Sequence, residues 1–348
     1  MNRKVATLLL LTSGLFLFLS GLHWLAVPLF LLAGVVYLLR HLRTPEELKK
    51  HKWLKTAGVF VGVFILAIVF RVFFVEIFSI PSGSMEDTLL PYDRVFVCKY
   101  GANIKRGDIT IFRYTNFGET IYIKRCVGMP GETFEIRQGT IYCDDQEADN
   151  QGQIKKMYQI WINDSGSFQA MADSLNIRIP ESACNNKDYS IKLALTHRNY
   201  SIIRGADCTD SISYLMQDSD PSGIYIYPHH NLFHWTIHDF GPVMIPYKGM
   251  KITLTPYNYA LYKKIINRCE KQNIEFKNGH ILKDNKIITS YVFKQNYYFF
   301  MGDNRQISYD SRSLGFIPEE DIIGKAVLVM YNSCALKFNP RRFLKRVK

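Results

Sequence analysis

The sequence predicts a mainly β body preceded by N-terminal transmembrane α-helices. Three observations carry this. Apolar residues crowd into the first 78 positions, and short segments rich in Val, Ile, Phe and Tyr, divided by glycine turns, fill the rest. Positive charge collects at the two ends of the chain.

Val5 to Leu39 is almost wholly apolar, broken near Ser20-Gly21-Leu22-His23-Trp24. One span needs about 20 residues, so the run reads as two short helices, 5–22 and 24–40, with Trp24 at the interface. Met1-Asn2-Arg3-Lys4 before an apolar stretch also fits a signal peptide, but no small-residue cleavage site precedes a polar region. Residues 40–55 form a basic loop whose Thr44-Pro45-Glu46-Glu47 has the pattern of a helix start. Residues 56–78 are a third expected span. The positive-inside rule places the N-terminus and the 40–55 loop in the cytoplasm, so the third span delivers residues 79–348 to the extracytoplasmic side.

The formal net charge is +12. Residues 1–60 hold eight Lys/Arg against two Asp/Glu, residues 335–348 hold six against none, and 61–334 balance. A neutral body with basic ends beside apolar runs points to a lipid bilayer rather than to nucleic acid. The tail 335–348 is expected to be solvated. Seven cysteines occur without a CxxC pair, which excludes a zinc ribbon or a thioredoxin-type motif.

In the body, strands are expected over Tyr92–Tyr100, Asp108–Tyr114, Thr120–Val127 and Thr133–Cys143, the last turning at Gly139. More are expected over Ile274–Ile288 around Asn278-Gly279, Tyr291–Met301 and Ile322–Tyr331. Tyr257–Gln272 has helical spacing. These segments suggest a catalytic lobe of 79–143 and 291–334 and an inserted β-rich lobe of 144–290. His229, His230, His234 and His238 cluster, but Pro228, Gly241 and Pro242 oppose a metal-binding helix there, so no metal is expected.

A serine hydroxyl needs a proton acceptor to become a nucleophile. Ser84 lies in Ile80-Pro81-Ser82-Gly83-Ser84-Met85, just beyond the third apolar run. No GxSxG elbow accompanies the nine histidines. A lysine serves as base if burial keeps its amine neutral. In Ile121-Tyr122-Ile123-Lys124-Arg125-Cys126-Val127, strand alternation puts Lys124 on one face with Tyr122 and Cys126, and Arg125 on the other. Taken singly, a turn-forming serine and an exposed strand lysine are the simpler readings.

Four segments in order change that. Pro81-Ser82-Gly83-Ser84-Met85 with Thr88-Leu89 is the first, and Arg106-Gly107-Asp108-Ile109 with Phe112 the second. Tyr122-Ile123-Lys124-Arg125 with Val127-Gly128 and Pro130-Gly131 is the third. Gly302-Asp303-Asn304-Arg305, Ser308, Asp310-Ser311-Arg312 and Gly315-Phe316-Ile317-Pro318 make the fourth. By these the chain resembles the bacterial type I signal peptidases, the membrane-bound Ser–Lys peptidases that remove secretory signal sequences. The resemblance covers the third span and the catalytic lobe, not 144–290.

The resemblance implies a coiled β-sheet catalytic lobe and no cofactor. Ser84 would be the nucleophile and Lys124 the general base. The hydroxyl of Ser82 and the backbone N–H of Ser84 would form the oxyanion hole, Ser308 would orient Lys124, and Asp310 and Arg312 would give structural support. Phe78, Ile80, Met85, Leu89, Tyr122 and Ile123 would line shallow pockets for small residues three and one before the cut. The implied partners are preprotein signal peptides, the lipid bilayer and the secretion translocon. The implied location is the plasma (inner) membrane, multi-pass, with the catalytic body on the periplasmic side. Two positions depart from the family pattern: Asp87 stands where proline usually precedes the threonine, and Gln306-Ile307 replaces Asp-Asn before Ser308. A non-catalytic export module of the same fold is the alternative, and intact Ser82, Ser84, Lys124 and Ser308 speak against it.

Overall fold

The computed structural model describes residues 60–347, except 66–67, 69–70, 72–73, 100–102, 115–119, 149–153, 176, 178, 180–183, 186–188, 216–224 and 333–341. The chain divides into two compact units, Met1–Glu76 and Ile77–Lys348. In the first, residues 60–65 are helical, with Phe60, Val63 and Phe64 exposed. The expected spans 5–22 and 24–40 and the loop 40–55 lie outside the described residues. Among those described, no helix is long and apolar enough to cross a membrane. The expected third span does not stay helical to Phe78, because Val75–Ser79 is a strand. Its Val-Glu-Ile-Phe alternation suits a pleated surface better than a helix.

The second unit is built on an eight-stranded sheet. Its order is Val75–Ser79, Asp93–Cys98, Ile322–Asn332, Ile109–Tyr114, Thr120–Gly128, Tyr297–Met301, Ile317–Pro318, with Lys345–Arg346 added beside Ile322–Asn332. Every pairing with a described register is antiparallel. Register sets the site. Thr110 faces Lys124 and Ile111 faces Ile123. On the other side Met301 faces Arg125, so the Gly302-Asp303-Asn304 turn emerges at the Lys124 end of the strand. Ile80, Met85, Leu89, Val95, Val97, Ile109, Ile111, Ile123, Ala326 and Val329 pack into one apolar core under the sheet.

The expected strands appear with small shifts, among them Asp93–Cys98, Ile109–Tyr114, Thr120–Gly128 and Ile322–Asn332. The Gly139 hairpin joins Thr133–Arg137 to Thr140–Cys143. The run Tyr291–Met301 is not one strand: it divides into Ser290–Val292 and Tyr297–Met301. The expected helix runs Pro256–Arg268, with Thr255 accepting a hydrogen bond from the Asn258 N–H as its cap.

Residues 144–290 contribute to two cores. One large cluster joins Phe134, Ile136 and Ile141 to Phe240, Val243, Leu261, Ile265, Phe293 and Phe299. A separate cluster, from Ile160 to Ile212, belongs to a four-stranded sheet of Thr209–Tyr214, Lys155–Ile162, Ser190–Thr196 and Cys184–Asn185. This sheet carries two helices that the sequence did not announce, Ser165–Ser174 and His197–Arg204.

The tail corrects an expectation. Arg342 is buried and ion-paired to the fully buried Asp93, and it donates a hydrogen bond to the Thr88 carbonyl at 3.2 Å. Lys345–Arg346 pairs with Leu328 and Val329. Asp93 supplies the reason, since a buried carboxylate needs a counter-charge, and Asn332 alone, at 2.8 Å, is neutral.

Candidate active site

Ser84 sits in a short 3₁₀ turn, Gly83–Met85. The turn is held from outside: the Asn304 N–H donates to the Ser84 carbonyl at 3.0 Å, and Asn304 Nδ2 donates to the Gly83 carbonyl at 3.4 Å. Met85 and Leu89 are fully buried and anchor the loop in the core below. The Ser84 side chain therefore points from a fixed backbone.

Lys124 Nζ reaches Ser84 Oγ at 2.7 Å. The two residues are 4% and 6% exposed. Burial lowers the Lys124 pKa to about 8, against the opposing pull of the Asp310 and Asp303 carboxylates. Desolvation favours the uncharged amine because a lone ammonium loses its hydration. A buried amine with a pKa near neutrality, in contact with a hydroxyl, has the equipment of a general base. Its Nζ also lies 5.8 Å from the centre of the Tyr122 ring.

Ser82 Oγ donates to Ser84 Oγ at 3.3 Å from an exposed position, so the two hydroxyls stand side by side. Ser308 is buried, across Gly302 from the Ser84 backbone. A Cβ on Gly302 would lie 2.2 Å from Ser308 Oγ and 2.6 Å from the Ser84 carbonyl, so only glycine fits there. The buried Ser308 hydroxyl makes no hydrogen bond to Lys124 or to any other described residue in this arrangement.

Asp310 is fully buried. Burial alone would raise its pKa, but the Arg312 guanidinium overrides this and holds it below the usual carboxylate range. Arg312 Nε and Nη2 each donate to it at 2.9 Å, and the Gly302 N–H donates at 3.1 Å. Arg312 also donates to the Arg305 carbonyl at 2.6 Å. The pair thus clamps both ends of the loop 302–310. Of the expected pocket residues, Phe78, Ile80, Met85, Leu89 and Ile123 share one apolar cluster. Tyr122 belongs to the neighbouring one and stacks on Phe112 at 5.8 Å.

Sequence reasoning assigned no role to a second buried ion pair. Arg125 donates from Nε and Nη2 to the two Asp303 carboxylate oxygens, both at 2.7 Å. Thr88 Oγ1 donates to Asp303 at 2.5 Å, and Arg125 Nη1 donates to the Gly107 carbonyl at 2.7 Å. The Ser84 loop, the Lys124 strand and the 302–305 turn therefore meet at Asp303. The adjacency of Arg125 to Lys124, with Asp303 in the last box, was the available signal. The unusual Asp87 also has a partner, Lys155 Nζ at 3.0 Å. Of the four clustered histidines only His238 is buried, its Nδ1 3.0 Å from Tyr214 Oη, while His229, His230 and His234 are exposed. No metal-binding group occurs among the described residues.

A buried lysine amine bonded to a serine hydroxyl on a β body is the equipment of a serine peptidase. Comparison with known proteins gives the family. The model of the signal peptidase family, peptidase S26, matches residues 51–184 and 268–331. A signal peptidase I of Buchnera aphidicola subsp. Schizaphis graminum is 26% identical over 362 residues, covering 94% of this chain and 92% of that protein. The signal peptidase I of Buchnera aphidicola subsp. Baizongia pistaciae is 25% identical, covering 81% and 77%. That of Aquifex aeolicus is 27% identical, covering 79% and 84%. The chain belongs to the signal peptidase family, peptidase S26, and is a serine peptidase.

Proposed function

We propose that this chain is a membrane-anchored endopeptidase that removes N-terminal signal peptides from exported preproteins after small residues at the third and first positions before the cut. The observation that carries the reading is the 2.7 Å contact between the buried Lys124 amine and the Ser84 hydroxyl. The family match and the relatives named signal peptidase I support the substrate.

In this mechanism Ser84 Oγ attacks the scissile carbonyl while its proton passes to the neutral Lys124 Nζ. The oxyanion forms beside the Ser82 hydroxyl and the Ser84 N–H, whose donation is strongest when charge is greatest. The C–N bond then breaks, and the Lys124 ammonium returns the proton to the leaving amine. Water attacks the resulting ester with Lys124 again as base, releasing the signal-peptide carboxylate and free Ser84. Ser308 would orient Lys124, with Asp310 and Arg312 as structural support. The cluster of Phe78, Ile80, Met85, Leu89 and Ile123, with Tyr122 at its side, suits small apolar side chains.

Residues 79–143 and 291–334 form the catalytic lobe in this reading, with 144–290 inserted. The N-terminal apolar runs anchor it in the plasma membrane with the catalytic body on the periplasmic face, within reach of the bilayer and the translocon. Replacing Ser84→Ala or Lys124→Ala should each abolish preprotein processing in detergent while the chain still inserts. N-terminal sequencing of the product identifies the cut. Full processing by either variant would refute the dyad.

A further inference from the structure

A cleft of about 690 Å³ opens two residues beyond Ser84. That volume lies within the usual range of ligand pockets. One wall is the nucleophile loop, with Asp87 and Leu90; the other is the separate four-stranded sheet, with Met157 and Leu193. The two walls are stitched together at the active site. The Lys155 N–H donates to the Asp303 carbonyl at 2.9 Å and the Arg305 N–H donates to the Lys155 carbonyl at 3.3 Å, while Asn304 between them holds the Ser84 carbonyl. The cleft thus adjoins the Ser84 loop, and no residue lining it belongs to the apolar cluster of Ile80, Met85 and Leu89.

Charge identifies what the cleft favours. Lys155 is neutralised by Asp87 at 3.0 Å, with Glu86 at 3.8 Å. Lys192 and Arg198, both exposed on the rim, have no ion-pair partner among the described residues. The charged lining, Lys155, Lys192 and Arg198 against Glu86 and Asp87, carries a net +1. Lys192 and Arg198 stand over an apolar floor of Met157, Leu193 and Leu90, which suits an extended peptide carrying carboxylates. We infer that this cleft receives the polypeptide segment that follows the scissile bond, and that Lys192 and Arg198 favour acidic side chains in it. The inference rests on the peptidase reading above and gives the sheet around Lys155–Ile162 a role in substrate selection.

The test uses the full chain in detergent and synthetic peptides sharing one cleavable sequence with small residues before the cut. One peptide stops two residues past the cut; two others continue about six residues further, carrying either Asp or Lys. For exposed charge pairs of this kind, the Asp-bearing peptide should show a KM about three- to tenfold lower than the Lys-bearing one, with kcat alike. The double variant Lys192→Glu with Arg198→Glu should reverse that preference and leave the short peptide's kcat and KM unchanged. Equal KM values for the two long peptides in the wild type, or a preference unaltered by the double variant, would overturn the inference while leaving the peptidase intact. If the wild type cut none of the peptides, the peptidase reading itself would fail, and this inference with it.

Discussion

At the scale of single residues, the site depends on the protonation of one amine. Burial brings the Lys124 pKa down to about 8, so at neutral pH a minority of molecules carry the free base. The sign follows directly: protons added below about 8 occupy the lone pair that accepts the Ser84 proton in the proposed mechanism. We expect kcat/KM to fall about tenfold per pH unit below that point and to level off above it, as read from initial rates on a neutral peptide. A flat profile between pH 6 and 9 would mean another group takes the proton. The same shift acts on folding. The unfolded chain binds this proton more tightly than the native one, so Lys124 adds stability as pH rises from about 8 towards its ordinary value. Lys124 could not be singled out from its strand alone, where an exposed lysine is the simpler reading; the four segments in order drew attention to it. That the Ser308 hydroxyl lies buried against Gly302 with no hydrogen-bond partner among the described residues could not be read, because the Gly302 turn sets its place to tenths of an ångström.

At the scale of elements, the nucleophile turn is positioned by the 302–305 turn rather than by its own sequence. Gly302 leaves no room for a side chain against Ser308 and the Ser84 carbonyl. Gly302→Ala should push these apart. It should cost about 1–3 kcal/mol of stability and roughly 100-fold in kcat/KM, since small misplacements of reacting groups are costly. Denaturant unfolding and initial rates on a model peptide check both figures. Arg125→Ala tests the neighbouring junction. It leaves Asp303 buried without its guanidinium and should destabilise the body by about 3–5 kcal/mol in the same unfolding experiment. Strands such as Thr120–Gly128 and Ile109–Tyr114 were legible because their β-branched and aromatic residues sit next to one another in sequence. The helices Ser165–Ser174 and His197–Arg204 were missed because they are short and polar and bury few residues. Their only local marks were caps: Asp164 accepts from the Gly166 N–H and Thr196 from the Asn199 N–H.

At the scale of the whole molecule, the last residues close the sheet. Arg342 joins Asp93 and the Thr88 carbonyl, and Thr88 in turn bonds Asp303. A chain stopped after residue 341 leaves Asp93 buried without its cation. It should unfold at lower denaturant by roughly 3–5 kcal/mol, with kcat falling alongside because Thr88 loses its backing. Arg342→Lys should recover part of both. This contact spans 249 positions in sequence, and no local pattern of charge could distinguish it from a solvated basic tail. The pattern of four boxes was legible for the opposite reason: its signal is local.

The hold that Asn304 has on Ser84 and Arg342 has on Thr88 also sets a schedule. A ribosome making this protein produces Ser84 long before Asn304 and Arg342. On the peptidase reading, a chain not yet grown to both carries its serine on an unsecured loop, and hydrolysis should begin only once they are in place.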